Sequence, residues 1–147
     1  MLIRKSSAAW EGTLKKGRGT VTLGSGTFTG SYSFSSRFED GRRATNPEEL
    51  VAAAHAACFS MALAYALEEA GHPATRVDTT AAVSLDKTGD GFEIPRIALE
   101  TDAEVPDIDD RKFQSLAEQA KKNCPLSKLL RAAEISLTAR LLTSHPA

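Results

Sequence analysis

Two cysteines, Cys58 and Cys124, stand 66 positions apart and are the residues of this chain best suited to covalent chemistry. A thiol attacks only as its thiolate, and an unperturbed thiol of pKa about 8.5 is about 3% ionised at pH 7. Chemistry at Cys58 therefore needs a nearby cation, and an arginine is the natural supplier. Cys124 precedes Pro125, which suits the first position of a helix, where free backbone N–H groups favour an anion. Each cysteine also has a plainer reading: Cys58 as a small apolar residue among alanines, Cys124 as a helix cap without redox function. His55 lies three residues before Cys58, so the two share a helix face. That spacing admits a Cys–His nucleophile pair or half a zinc site. Zinc wants four ligands at compact spacings, however, and only Cys124 and His72 remain as plausible partners, with no CxxC motif. A core or interface histidine is the simpler reading of His55. Glu48 and Glu49 suit the dipole and capping chemistry of a helix start. Glu48 precedes Cys58 by ten residues, about 15 Å along one helix axis. A site that uses both must draw one of them from a second subunit.

The element carrying these residues has strong punctuation. Asn46 can cap, Pro47 suits the first helical position, Glu49 stands at the third, and the helix runs to Ala70 and stops at Gly71. Such a helix is about 36 Å long. From Ala52 to Leu67 it carries no formal charge when His55 is neutral, and a helix apolar on most sides is buried on most sides. A chain of 147 residues struggles to surround it, which points to a dimer.

The flanking segments read mainly as strands. Trp10–Leu14 and Thr20–Leu23 are joined by the turn Lys15–Gly19, and Ser31–Phe38 alternates with Tyr32, Phe34 and Phe38 on one face. Beyond the long helix, Thr75–Asp86 alternates, Lys87–Gly91 turns, and Phe92–Val105 forms a second strand whose apolar parity slips at Pro95, as at a bulge. Asp109 and Asp110 open a helix with the stripe Phe113, Leu116, Ala117 and Ala120; a short helix over Pro125–Arg131 and a last strand over Glu134–Leu142 follow. The fold class is α+β with a largely antiparallel sheet, because no regular strand–helix–strand alternation appears.

Composition bounds the function. The length predicts one domain over 1–147, and 41% hydrophobic with 25% charged residues is ordinary for a globular protein. A net charge of −1 without a basic block argues against nucleic acid as a partner. No apolar run of membrane-spanning length is expected, and the start of the chain lacks the apolar region of a secretion signal, so the cytoplasm is the expected location. Two cysteines do not make a secreted disulfide framework.

The tract Thr45-Asn46-Pro47-Glu48-Glu49-Leu50-Val51-Ala52-Ala53-Ala54-His55-Ala56-Ala57-Cys58-Phe59-Ser60-Met61-Ala62 closely resembles the OsmC/Ohr hydroperoxide reductase family, and Asn123-Cys124-Pro125-Leu126-Ser127 resembles its second cysteine motif. Trp10-Glu11-Gly12, Arg18-Gly19-Thr20, Ser36-Arg37-Phe38-Glu39 and Val83-Ser84-Leu85-Asp86-Lys87 extend the match over nearly the whole chain. His55 and Ser36-Arg37-Phe38 point to the OsmC branch. The resemblance implies an intertwined homodimer, with two long central helices packed between two largely antiparallel six-stranded sheets and each active site built from both subunits. It implies that Cys58 is the peroxidatic cysteine, Cys124 the resolving one, and Glu48 the residue that holds a catalytic arginine. Arg37 matches that arginine best; Arg18, in the Gly17-Arg18-Gly19 turn, is the rival. The implied reaction reduces an organic hydroperoxide to an alcohol through a Cys58 sulfenic acid and a Cys58–Cys124 disulfide. A dithiol, which the family suggests is a dihydrolipoyl protein, then reduces the disulfide, with no metal, haem or flavin. Ala, Leu, Met and Phe side chains are expected to line an apolar pocket. Two competing readings are a non-catalytic carrier of a hydrophobic ligand in the same dimer cleft, and a Cys–His hydrolase built on His55 and Cys58.

Overall fold

The computed structural model describes residues 1–39 and 43–142. The chain divides into two compact units, Met1–Leu50 and Val51–Ala147. The first holds an antiparallel meander of β1 (Ser6–Glu11), β2 (Arg18–Leu23) and β3 (Thr29–Tyr32), in that spatial order. The strand expected over Ser31–Phe38 ends at Tyr32, and Phe34–Phe38 is instead a short helix, α1. The cause is local. The Ser33 hydroxyl accepts the Ser36 N–H (3.1 Å) and the Ser36 hydroxyl accepts the Ser33 N–H (2.8 Å), a reciprocal capping box that satisfies two donors a strand would leave elsewhere. The Phe34 and Phe38 rings, one helical turn apart, then meet at 5.0 Å. Gly19 lets Trp10 and Tyr32 approach to 5.5 Å, since a Cβ there would lie 2.5 Å from the Tyr32 ring.

The long helix, α2, spans Pro47–Glu69 and starts and stops as its caps dictate. Asn46 Oδ1 accepts the Glu49 N–H at 2.7 Å, and the Glu49 carboxylate takes the Thr45 hydroxyl at 2.9 Å. At the other end Gly71 adopts φ 84°, and the N–H groups of Gly71 and His72 bond the Glu68 and Leu67 carbonyls at 3.0 and 2.8 Å. That pair of bonds is the Schellman closure, which a residue with a Cβ resists. By length and composition α2 is long and apolar enough to cross a membrane, contrary to the expectation that no such run exists: Leu50 and Val51 extend the uncharged stretch at its start. Beyond Glu48 at its start, its buried residues recur every fourth position, His55, Phe59, Leu63 and Leu67. The expectation of burial on most sides does not hold for one chain, in which Met61 is 75% and Tyr65 62% exposed.

The second unit packs the α2 stripe against a three-stranded sheet ordered β4 (Arg76–Val83), β7 (Arg96–Glu104), β8 (Glu134–Leu142). A separate ribbon pairs β5 (Asp86–Thr88) with β6 (Gly91–Glu93). The single strand expected over Phe92–Val105 is therefore two strands in different sheets. Pro95 lacks an N–H and falls between them, so the parity slip marks a change of sheet and not a bulge. β4 and β7 are antiparallel but β7 and β8 are parallel, joined through α3 (Asp110–Asn123) and α4 (Pro125–Leu129). Parallel neighbours require such a crossover, so one strand–helix–strand unit sits inside the α+β fold. Phe59, Leu63 and Leu67 meet Leu99 and Ala103 of β7 and Phe113, Ala117 and Ala120 of α3 in the core, and Cys124 lies in the same cluster. Each large side chain buried there contributes about 1.5–3 kcal/mol.

Candidate active site

The first unit supplies a charged pair. The capping box of α1 and the start of α2 are tied together: the Ser36 hydroxyl donates to the Thr45 carbonyl (2.7 Å) and the Asn46 amide to the Ser36 carbonyl (3.0 Å). Arg37 on α1 then faces Glu48 on α2. Arg37 Nη2 donates to Glu48 Oε1 at 2.8 Å, and Nε donates to Oε1 at 3.1 Å and Oε2 at 3.3 Å. The Glu48 side chain is only 9% exposed, that of Arg37 38%. A two-point guanidinium–carboxylate contact of this kind fixes orientation as well as charge. An arginine carries five donors; among the described residues only Nε and Nη2 of Arg37 are hydrogen-bonded, both to Glu48. Arg18 is placed differently: it lies on β2 opposite Glu11, 82% exposed and 3.7 Å from that carboxylate.

Beside Arg37 is a cavity of about 170 Å³ lined by Trp10, Leu14, Tyr32, Ser33, Phe34 and Phe38. Leu14, Phe34 and Phe38 are of the expected Ala, Leu, Met and Phe types, whereas Trp10 and Tyr32 are additions to them. The signal of this aromatic wall in the sequence was the crowding of five of the nine aromatic residues, Trp10, Phe28, Tyr32, Phe34 and Phe38, into the first 38 positions.

The second unit brings the cysteines together. Cys58 projects from α2, and Cys124 stands at the junction of α3 and α4, where its N–H closes α3 on the Ala120 carbonyl and its carbonyl opens α4 to the Lys128 N–H. Both are free thiols. The Cys124 Sγ donates to the Cys58 Sγ at 2.9 Å. Cys124 is the N-cap residue of α4, as its place before Pro125 predicts, but it caps through its backbone and makes no side-chain cap bond. Burial pushes the Cys58 thiol up, Cys124 pushes the same way, and a hydrogen bond from the Leu126 backbone pulls back. Among the described residues of this unit, no cation figures among the influences on Cys58, and a reactive thiolate requires one.

His55 is fully buried, and its Nε2 meets the Ser127 hydroxyl at 2.8 Å. Its Nδ1 is buried without a hydrogen-bond partner, so His55 does not engage Cys58 as a Cys–His pair would. Burial also holds the imidazole below its ordinary pKa, in the neutral form. His72 lies apart, 3.5 Å from the Lys112 ammonium. Ser127 and the Leu126 N–H are members of this site that the spacing of single residues could not reveal.

The sequence matches the family described as OsmC-like protein over residues 39–140. It is 51% identical to Peroxiredoxin OsmC of Escherichia coli K12 over 94% of this chain and 96% of that protein. It is 30% identical to the organic hydroperoxide resistance protein OhrB of Bacillus subtilis over 81% of this chain and 87% of that one. The fold matches the crystal structure of an organic hydroperoxide resistance protein OsmC from Legionella pneumophila at a TM-score of 0.71 with 24% identity, covering 95% of this chain and 99% of that one. It matches the crystal structure of Bacillus subtilis OhrB at 0.67 with 27% identity, covering 94% and 98%.

Proposed function

The chain belongs to the OsmC-like family, and from that premise we propose that it is a thiol peroxidase that reduces organic hydroperoxides with Cys58 as the attacking residue. Peroxide-related redox chemistry is common to its named relatives, Peroxiredoxin OsmC and the organic hydroperoxide resistance proteins. The observation that carries the finer reading is the 2.9 Å approach of Cys124 to Cys58. A thiol pair this close puts the second sulfur within reach of the first, as conversion of a sulfenic acid to a disulfide requires.

The reaction runs in three balanced steps. The Cys58 thiolate attacks one peroxide oxygen, the S–O bond forms as the O–O bond breaks, and the alkoxide takes a proton to leave as alcohol. Cys124 then attacks the Cys58 sulfur; the S–S bond forms, the S–O bond breaks, and hydroxide leaves with the Cys124 proton as water. A dithiol reductant, such as a dihydrolipoyl protein, is oxidised in turn and restores both thiols. A reducing compartment, the cytoplasm, suits a pair that must return to thiols after each cycle.

In this reading the first step needs Arg37, held by Glu48, to lower the Cys58 pKa and polarise the peroxide. Glu48 and Cys58 are about 15 Å apart along α2, so the protein is a homodimer in which Arg37 and Glu48 of one subunit serve Cys58 of the other. The exposed Met61 and Tyr65 belong to the face that a second α2 would cover. The aromatic cavity beside Arg37 takes the organic group of the hydroperoxide. The test is consumption of cumene hydroperoxide with a dithiol reductant, lost in Cys58→Ser. A carrier of hydrophobic ligands predicts no turnover, and a hydrolase predicts ester cleavage without reductant.

A further inference from the structure

His55 precedes Cys58 by three residues on α2, and Ser127 follows Cys124 by three residues on α4. The two helices therefore meet through two rungs, Cys58–Cys124 at 2.9 Å and His55–Ser127 at 2.8 Å. α4 has five residues, and Ser127 is its buried one, while Leu129 is 74% exposed. A helix this short has little apolar surface with which to choose its own position. The residue it buries is a serine, against a fully buried histidine that leaves one ring nitrogen unpartnered. An apolar pair of the same shape would be no less stable, because an unmet buried polar atom is costly. What a directional bond adds over apolar packing is a defined distance and register.

We propose that the His55–Ser127 hydrogen bond is a positioning strut for the second chemical step, holding α4 where the Cys124 sulfur reaches the Cys58 sulfur. The proposal rests on the roles given above to the two cysteines. Neither His55 nor Ser127 touches the peroxide; both act through Cys124. In the step concerned the Cys124 sulfur displaces hydroxide from the Cys58 sulfenic sulfur, and the strut contributes by keeping the attacking atom in line. The tautomer that fits best carries its proton on Nε2, because it leaves a lone pair unmet at Nδ1 and not an N–H.

The full chain is treated with one equivalent of cumene hydroperoxide and quenched at intervals. Dimedone traps the Cys58 sulfenic acid and thiol alkylation reports the Cys58–Cys124 disulfide, both read by mass spectrometry. In His55→Leu and in Ser127→Ala the sulfenic acid forms but its closure slows about tenfold, the worth of one buried hydrogen bond. His55→Gln and Ser127→Thr, which keep a donor and a hydroxyl, recover most of that loss, and the double variant His55→Leu/Ser127→Ala closes no more slowly than either alone. Closure at the wild-type rate in Ser127→Ala, which removes a single oxygen, overturns the strut, as do additive losses in the double variant. A wild-type chain that yields neither adduct nor disulfide overturns the peroxidase reading and the strut with it, so the two failures are distinguishable.

Discussion

Arg37 and Glu48 are locked through two nitrogens of the guanidinium, with the carboxylate almost wholly buried and the arginine half open to its surroundings. The geometry treats Glu48 as a clamp: both of its oxygens are engaged by Arg37, and a clamp acts through what it holds. Glu48→Gln keeps the shape and loses the charge, and should lower peroxidase turnover about tenfold by weakening a charge-assisted bond to a neutral one. Arg37→Lys should not rescue function, because a lysine cannot reproduce the two-point contact. Steady-state rates with cumene hydroperoxide check both.

The cation's effect on Cys58 can be read without turnover. Burial raises this thiol, and in the proposed dimer Arg37 opposes that rise. The pH profile of Cys58 alkylation in Cys124→Ser should therefore move to higher pH when Arg37→Met is added. An unchanged profile would remove Arg37 from the site and reopen the case for Arg18.

Subunit exchange tests the shared site directly. Cys58→Ser and Glu48→Ala are each expected to be inactive. Mixed under conditions that allow exchange, they should recover about half of the wild-type activity per heterodimer, since both lesions fall in one site and the other is intact. Verified heterodimers without activity would confine the site to one chain.

The aromatic cavity makes a claim about selectivity. Gly19→Ala places a Cβ 2.5 Å from the Tyr32 ring and 2.8 Å from that of Trp10, so the rings must shift. Turnover of cumene hydroperoxide should fall several-fold while that of hydrogen peroxide, which needs no such wall, falls less. Equal losses for both substrates would detach the cavity from the reaction.

His55 gives stability a pH dependence. Its pKa is lowered by burial from the ordinary 6.5, so the unfolded state binds more protons than the folded one below that value. Stability contributed by the neutral imidazole is fully present above pH 6.5 and declines as pH falls from there toward the depressed folded value. Denaturant midpoints measured between pH 7.5 and 5 should fall with acid in the wild type and fall less in His55→Gln.

How far the sequence could be read depended on whether a feature is settled locally. The ends of α2 were legible because Asn46, Pro47 and Gly71 act on backbone groups a few residues away. α1 was not, because Phe34 and Phe38 fit both a two-residue and a four-residue period, and the choice turned on the Ser33–Ser36 box. Pro95 announced an interruption, but which sheet each flanking strand would join depends on distant partners. The contact between His55 and Ser127 spans 72 positions, and no local pattern marks a serine as the mate of one particular histidine. The Arg37–Glu48 pairing was legible only through the family resemblance; composition and spacing called for an arginine without naming one.

The parallel pairing of β7 with β8 also carries a consequence for how the chain comes together in time. β8 aligns with β7 from Arg96↔Glu134 to Glu104↔Leu142, so the segment between them, which bears Cys124, is a loop that closes when β8 docks. Parallel, non-local pairing of this kind is slow to form, because loop-closure entropy must be met first. The Cys58–Cys124 contact itself spans 66 positions, so it is expected to form with that slow, non-local pairing. Pulsed thiol labelling during refolding should find Cys124 protected no earlier than the amides of β8.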